Sequence, residues 1–341
     1  MHKGPPINEF SLAQFVISIR DALLEQIRER DLHSIYLLMF LHVHNTIAGV
    51  LLEVSGFLGL LINGFILYKI VVGRIFGRSF GRIWISRAAA HCLESVMFIV
   101  FIGPVTLIDP IIFDTLLAQR ILHSIVLFKA PVWISNLLIA VDRAVMVSLP
   151  FKYKIYFSHK RTLCLIIWSW IFAIGVAIPN VIDPCQQTPL NSSVSFYADR
   201  PDCSLAIHLF AIVVPMALFV GTAIADAVAL YKLYTLPCTR KELDRGVYSP
   251  NRAKELRLCY MILTEVVVLG LLTLFIKLGF LFENHLLNFL STTFLWAMAS
   301  AVDGAIVLIF NTEMRTLRAN QQHKVETISS LQSKNHVPSS I

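Results

Sequence analysis

Residues 122–148 read LHSIVLFKAPVWISNLLIAVDRAVMVS, an apolar stretch with an Asp-Arg pair near its end. A bilayer core about 30 Å thick takes roughly 20 apolar residues in helical form. Backbone hydrogen bonds must close within each segment in lipid, so this stretch predicts a membrane-spanning helix. The charged pair is typical of the end of such a helix.

Six further apolar stretches complete a bundle. The predicted spans are 47–71, 84–108, 122–148, 162–182, 204–231, 258–282 and 286–310. They are continuously apolar and too long for the alternating strands of a membrane barrel. We therefore expect an all-α membrane protein with a seven-helix domain at 47–310. An extracellular segment at 1–46 precedes it, and a short juxtamembrane helix with a disordered tail follows at 311–341.

Composition leaves little room for anything besides a membrane domain. Of the 341 residues, 56% are hydrophobic and only 15% are charged, whereas about a quarter of a soluble protein is charged. The lipid bilayer is therefore the expected surrounding, and no separate soluble catalytic domain fits. The formal net charge of +7 resides mainly in short loops. No basic face with aromatic residues is evident, so nucleic acid is not an expected partner.

The basic residues of the loops predict the orientation of the bundle. The loops after the first, third and fifth spans, together with the C-terminal tail, hold 21 of the 29 Lys and Arg residues. Arg87 is counted here with the loop after the first span. Cytoplasmic segments carry an excess of Lys and Arg, so we expect the C-terminus in the cytoplasm and the N-terminus outside.

The first 46 residues allow two interpretations. Residues 10–41 carry apolar positions at helical spacing with charged residues between them, which is typical of an amphipathic helix on the membrane surface. The alternative is a leader without a function of its own. A cleaved signal peptide is not expected, because no basic stretch is followed directly by an apolar core.

The loop between the fourth and fifth spans predicts two modifications. Cys185 and Cys203 lie at its ends, on the expected outer side, where disulfides persist. Asn191 begins an Asn-Ser-Ser acceptor site for N-glycosylation. A Cys185–Cys203 disulfide and a glycan on Asn191 are therefore expected. No cysteine has metal-ligand spacing with a histidine, so neither a metal site nor another cofactor is expected.

Short patterns of charged, glycine and proline residues interrupt the apolar stretches and carry the functional signal. They are Gly59 with Asn63, Phe80-Gly81-Arg82, Asp142-Arg143-Ala144 with Pro150-Phe151-Lys152-Tyr153, Pro215, Asp303-Gly304 with Phe310, and Asn311-Thr312-Glu313-Met314-Arg315. An isolated Asp-Arg pair would indicate only a membrane boundary. Its position at the end of the third of seven spans, with a proline a short loop later, argues against a mere membrane anchor.

These residues resemble the rhodopsin-like superfamily of G-protein-coupled receptors and, within it, nematode serpentine receptors of class X, over about residues 47–318. In that superfamily the third helix ends in Asp/Glu-Arg-Tyr, and the seventh continues into Asn-x-Glu-x-Arg. The resemblance implies a chemosensory receptor for a small molecule or a peptide, which signals through a heterotrimeric G protein. It also implies a multi-pass protein of the plasma membrane, and of the sensory cilium in particular.

The resemblance places a coupling switch at the end of the third span. Asp142 and Arg143 are expected to pair at rest, with Glu255 as a second partner of Arg143. Arg143 is then expected to meet the G protein when the bundle opens, and Asn311 belongs to the same end of the bundle. A difference of a few kcal/mol between two states is enough for a ligand to bias such a switch.

The chain also departs from the superfamily pattern. Ala144 replaces the usual aromatic residue, His91 stands near the position of a usual buried aspartate, and the sixth span has no proline. The seventh span contains no lysine, so the Schiff-base chemistry of opsins lacks its nucleophile. A light receptor is therefore not expected.

Ionisable residues within the spans need a reason, because each costs about 2.5–3.5 kcal/mol to insert. Those near span ends are expected to reach water with long side chains; they are Glu53, Asp226 and Lys277. The deeper ones are His91, Glu94, Lys129, Glu265 and Asp303. Two interpretations of Lys129 stay open, an ion pair with an acidic neighbour such as Glu94 or a contact with an acidic ligand group.

Two further sets of residues have open roles. Asn63, His91 and Asp303 are expected to form a polar core, in which Asp303 and Asn63 hold a sodium ion or a proton. Trp133 and Trp296 either pack between helices or line a ligand pocket together with Glu94 and Lys129, since both tryptophans lie farther from the cytoplasm than the coupling motifs.

A membrane transporter or channel is the alternative to the receptor. Transporters show internal duplication or broken helices, and neither is evident in the sequence. An enzyme is not expected, because a catalytic site needs clustered groups. The eleven histidines are scattered, with no His-x-x-x-His in a span and no Gly-x-Ser-x-Gly motif.

Overall fold

The computed structural model describes residues 42–73, 76, 80–149, 151–182, 213–235, 250–279, 282 and 284–315. Within these residues seven helices are long and apolar enough to cross a membrane. They are α1 His42–Gly73, α2 Phe80–Ile108, α3 Leu116–Ser148, α4 His159–Ile182, α5 Val214–Thr235, α6 Pro250–Gly279 and α7 Leu286–Phe310. The described part of the chain contains no strand. The expected all-α fold with seven membrane-length helices is confirmed.

Several helices extend beyond the predicted apolar stretches. α3 begins at Leu116 instead of residue 122, and α6 begins at Pro250 instead of residue 258. At the start of α3 the Thr115 side chain accepts a hydrogen bond from the Ala118 N–H at 3.3 Å, which caps the first turn, and the polar residues Gln119 and Arg120 follow directly. Helical hydrogen bonding therefore continues where apolar composition ends. Residues 204–212 of the predicted fifth span lie outside the described residues.

The chain divides into two compact units, Met1–Ile47 and Ala48–Ile341. The described part of the first unit is the opening turns of α1, where the Thr46 hydroxyl donates to the His42 carbonyl. The second unit holds the bundle. There α3 packs against α2, α4 and α5, while α6 packs against α5 and α7 and α7 packs against α2. α3 is thus the central helix of the second unit.

The outward faces of the helices are apolar, and the charged groups lie inside. Val100 of α2, Trp168 of α4 and Ile224 of α5 are all exposed. A soluble domain seldom exposes so continuous an apolar surface, but hydrocarbon is the favoured solvent for it. The fold is that of a multi-pass membrane protein.

Two apolar clusters fill the bundle at different depths. We call the end of the bundle at which α3 ends the Arg143 end. The cluster at that end includes Ile66, Ile70, Phe80, Trp84, Ile139, Met261, Ile306 and Met314. The cluster nearer the opposite end includes Leu52, Phe98, Ile102, Ile125, Phe289 and Ala297. Along α2, residues 89–97 lie between the two clusters, and the structure places charged groups at this depth.

Glycine allows α1 to approach α2 and α7 closely. A Cβ at Gly59 would lie 2.5 Å from Oγ of Ser95 and 2.7 Å from Oγ of Ser300, which no real side chain tolerates. One turn later, Nδ2 of Asn63 donates to the Gly59 carbonyl at 2.9 Å and to the Ser300 carbonyl at 3.0 Å. The Gly59 and Asn63 pattern therefore serves helix packing.

Two helices contain a wider turn. Phe98–Ile102 in α2 and Leu290–Phe294 in α7 are π-helical. Single π turns shift the register of side chains and occur frequently at functional sites. Both turns lie on the side of the bundle away from the Arg143 end.

Candidate functional site

A buried guanidinium joins three helices. Arg87 of α2 is 2% exposed, and its Nη2 donates to Oε2 of Glu265 in α6 at 2.8 Å and to Oδ2 of Asp303 in α7 at 2.6 Å. Its Cζ lies 4.6 Å from the centroid of the Trp84 ring. Charge-assisted hydrogen bonds of this kind are roughly twice as strong as neutral ones. Arg87 therefore fixes the mutual positions of α2, α6 and α7.

The network continues along α2 toward α3. His91 Nε2 lies 2.6 Å from the same Oδ2 of Asp303, and His91 Nδ1 lies 3.7 Å from Oε2 of Glu94. Lys129 Nζ of α3 lies 2.6 Å from Oε1 of Glu94. Residues spaced by three and four share one helix face, which explains why Arg87, His91 and Glu94 line up. The network thus links all four of α2, α3, α6 and α7.

Lys129 forms the ion pair that was one of its two expected roles. Its ammonium is mostly buried and Glu94 is fully buried, so each charge is satisfied by the other. Removing one partner of a buried ion pair costs much more stability than replacing both partners with apolar residues. A contact between Lys129 and an acidic ligand stays a prediction.

The expected polar core is partly assembled. His91 and Asp303 are in contact, whereas the amide of Asn63 donates to backbone carbonyls on α1 and α7. The Arg87 guanidinium already supplies positive charge at 2.6 Å from Asp303. This contact argues physically against a sodium ion beside Asp303, and the proposed role of Asn63 in holding one stays a prediction.

The Asp-Arg pair lies at the end of α3 among aromatic side chains. Arg143 is 5% exposed, and its Cζ lies 3.8 Å from the centroid of the Phe80 ring at the start of α2. Asp142 is fully buried and accepts a hydrogen bond from the Tyr153 hydroxyl at 3.0 Å. Tyr153 begins the short helix Tyr153–Tyr156. The loop after α3 and the start of α2 thus both contact these residues, and the expected pairing of Asp142 with Arg143 stays a prediction.

The other expected members of the switch lie near the same end. Asn311 ends α7 and is buried, and its N–H donates to the Val307 carbonyl at 3.0 Å. The short helix Thr312–Arg315 follows, and the Thr312 hydroxyl accepts from Arg257 of α6 at 2.8 Å. Glu255 lies in the first turns of α6, and its side chain is outside the described residues. Its pairing with Arg143 stays a prediction.

The two tryptophans of the expected pocket are both half-buried. Trp133 lies one turn after Lys129 on α3, and Trp296 packs against the apolar cluster that includes Phe289 and Ala297. Trp296 therefore has a packing role. A ligand contact for either ring stays a prediction.

The burial of Asp226 contradicts one expectation from the sequence. Its position near the end of the fifth span predicted a reach to water, but the side chain is 0% exposed. The reason is that α5 packs against both α3 and α6, and Ala229, three residues after Asp226, is buried in a cluster with Cys259 of α6. Glu53 is half-buried and its reach to water stays a prediction, and the Lys277 side chain lies outside the described residues.

Comparisons with known proteins agree with this geometry. A family model described as serpentine type 7TM GPCR chemoreceptor Srx matches residues 54–311. The chain belongs to the Srx family. It is similar to a Caenorhabditis elegans protein named serpentine receptor class X 45, with 24% identity in an alignment of 304 residues that covers 80% of each chain. The resemblance inferred from the motifs is therefore confirmed, and Srx is a family of receptors.

Arg87 is the residue of this Srx protein that the sequence interpretation misplaced. It was counted with the loop after the first span, but it lies within α2 and is buried. The sequence did indicate that Arg87 faces inward, because Arg87 lies four residues before His91 and shares its helix face. Without Arg87, the remaining basic residues of that loop still support the same orientation, which stays a prediction.

The expected modifications of this Srx chain fall outside the described residues. Cys185, Cys203 and Asn191 all lie between α4 and α5, in residues 183–212. The disulfide and the glycan therefore stay predictions. The same holds for the segment 1–46, of which only the beginning of α1 is described.

Proposed function

We propose that this Srx receptor transmits the binding of a small molecule or a peptide within the helix bundle to a heterotrimeric G protein. The family description as chemoreceptors supports a chemosensory ligand. The plasma membrane, with the Arg143 end in the cytoplasm, is the location that this function requires. The observation that carries the proposal is the position of Arg143 at the end of the central helix, held against an aromatic ring.

The resting partner of Arg143 in this proposal is the Phe80 ring. A guanidinium over an aromatic face gains up to about 2 kcal/mol when it is desolvated. The contact joins α3 to α2 at the end of the bundle, so opening the bundle there would expose the guanidinium to a G protein. Asp142 is held by the Tyr153 hydroxyl of the following loop, so the same movement would also involve that loop.

Contacts between side chains run from the expected ligand region toward the Arg143 end. Lys129 lies one turn before the half-buried Trp133, and the ionic contacts that start at Lys129 reach Glu265 on α6 and Arg87 on α2. Arg87 lies over the Trp84 ring, and Trp84 contacts Phe80, the ring below Arg143. A ligand that binds one arrangement of these helices better than another shifts their populations by its differential affinity. Movement of α6 relative to α2 and α7 is then the step that reaches the Arg143 end.

The test is G-protein activation in cells that express the full chain at the surface. The panel of ligands consists of small odorants and peptides, and Arg143→Ala is compared with Arg120→Ala. Arg120 is an exposed residue near the opposite end of the same helix, so it controls for the loss of a charge on α3. We expect a response that Arg143→Ala abolishes and Arg120→Ala keeps, at equal surface expression.

Substitution of Phe80 gives a second test, in which signalling is expected to increase instead of being lost. Phe80→Leu keeps an apolar side chain but removes the face on which Arg143 rests, so basal signalling should rise. Phe80→Trp keeps the face and should signal as the unaltered receptor does. Equal signalling from the unaltered receptor and Arg143→Ala, in response to an active ligand, would refute the switch.

A further inference from the structure

Asp226 is a buried acid without a partner. Its carboxyl group is 0% exposed in the middle of a membrane helix. Neither Oδ1 nor Oδ2 has a hydrogen-bond partner among the residues that the structure describes. Buried polar groups are nearly always paired, so each exception needs an explanation.

The helix that packs against α5 carries a second buried acid. Glu265 of α6 is 1% exposed and accepts a charge-assisted hydrogen bond from Arg87. Arg87 is shared between Glu265 and Asp303 through one nitrogen, and His91 contacts Asp303 and Glu94. Arg87 and His91 are therefore both engaged by carboxyl groups other than that of Asp226.

The charged groups of α3, which packs against α5, are engaged elsewhere. Lys129 pairs with Glu94, Arg143 lies over Phe80, and Asp142 accepts from Tyr153. The described residues thus offer Asp226 no cation from α3. An isolated carboxylate in an apolar interior costs far more free energy than a fold can supply, so such a group becomes neutral instead.

A proton neutralises Asp226 better than a metal ion does. Metal ions of the hard kind need several oxygen ligands around them. Among the described residues no group of three His, Cys, Asp or Glu side chains is arranged to hold a metal. A proton needs only one carboxyl oxygen, and the neutral acid has no charge to compensate.

We propose that Asp226 binds a proton in the closed bundle and releases it to water when α5 and α6 separate. Opening converts the Asp226 carboxylic acid and a water molecule into a carboxylate and a hydronium ion. α5 and α6 are held together by a small cluster of Ala229, Leu233 and Cys259 and by a hydrogen bond between the Tyr234 and Tyr260 hydroxyls. Asp226 lies three residues before Ala229, on the same face of α5, so separation at this contact would expose its carboxyl group.

The sign of the pH effect follows from the extra proton. The closed state binds one proton more than the open state, so acid favours the closed bundle and alkali favours opening. For one linked proton the ratio of closed to open receptor changes by up to about tenfold per pH unit. The receptor would then respond more readily to its ligand at higher pH, whether or not Arg143 is the coupling residue.

Infrared spectroscopy tests the protonation directly. The full chain in lipid nanodiscs at neutral pH should show the carbonyl stretching band of a buried carboxylic acid. Asp226→Leu and Asp226→Asn should both lack this band, and Glu265→Gln should keep it. No band in the unaltered protein, or a band that Glu265→Gln removes and Asp226→Asn keeps, would overturn the assignment.

Unfolding as a function of pH gives an independent measurement. The ratio of folded to unfolded protein should fall with rising pH up to tenfold per unit more steeply in the unaltered chain than in Asp226→Leu. Thr222→Val, one turn earlier on α5, should match the unaltered chain. Stabilisation by sodium over choline at equal ionic strength, lost in Asp226→Leu, would show a sodium site and sink the proton proposal.

Discussion

Removal of the Arg87 guanidinium tests the buried ionic network that links α2, α3, α6 and α7. Arg87→Met keeps an unbranched side chain of similar length, which still packs against Trp84. It removes the two charge-assisted contacts of 2.8 and 2.6 Å. Glu265 and Asp303, both almost fully buried, then face each other without the cation between them.

The magnitude follows from the burial of all three partners. Breaking a buried ion pair by removing one partner costs about 3–5 kcal/mol, because a buried charge is left uncompensated. Every 1.4 kcal/mol is a factor of ten in an equilibrium constant, so the ratio of folded to unfolded protein should drop by about a hundredfold or more. An exposed ion pair contributes only about 0–1 kcal/mol, and burial makes the difference.

The assay is equilibrium unfolding of the purified chain in mild detergent, with surface expression as the cellular counterpart. Arg82→Met is the matched control, since Arg82 lies on the same helix and contacts His159 near the surface. It should cost less than about 1 kcal/mol. A triple variant, Arg87→Met with Glu265→Gln and Asp303→Asn, should recover much of the loss because it leaves no uncompensated carboxylate beside position 87.

A clear result would contradict this reasoning. If Arg87→Met is as stable as Arg82→Met, the Arg87 guanidinium does not contribute measurably to the stability of the bundle. If the triple variant is less stable than Arg87→Met alone, the loss arises from packing at position 87 and not from the stranded carboxylates. Either result would remove the network as the link between α2, α6 and α7.

Two more predictions concern packing and the second ion pair. Gly304→Ala places a Cβ 2.6 Å from Cγ2 of the β-branched Ile62, so it should lower the free energy of unfolding by about 1–3 kcal/mol. In the control variant Gly64→Ala the new Cβ meets nothing within 4 Å, so this variant should be neutral or stabilising. Equal effects of the two substitutions would disprove the close approach of α1 and α7. Lys129→Met and Glu94→Gln should each lower the free energy of unfolding by about 3–5 kcal/mol. In a double-mutant cycle, the variant with both substitutions should lose less than the sum of the two single losses. Additive losses would show that the two side chains do not interact.

The number and type of helices could be predicted from the sequence because lipid imposes a local rule. A chain in hydrocarbon must satisfy its own backbone hydrogen bonds, so apolar length alone predicts a helix. The helix ends were less predictable. Pro250 and Leu116 begin helical turns that carry polar residues, and composition does not mark where such turns stop.

Part of the site could also be predicted. The patterns around Asp142-Arg143 and Asp303-Gly304 were enough for the family, and Lys129 was expected to find an acidic partner. Phe80 as the aromatic partner of Arg143 was not predicted. A cation over a ring leaves no pairing signal in the sequence, because aromatic residues are abundant in every span.

The sequence by itself determined the solvent, the helices and the family of this protein, since each rests on composition or on short motifs. Only the tertiary structure decided which charges are inside. Arg87 was counted as a loop residue and is the centre of the network, and Asp226 was expected at the surface and is enclosed. The free energy of a charge in a membrane depends on what the facing helices present to it, and those neighbours are separated from it by long stretches of chain.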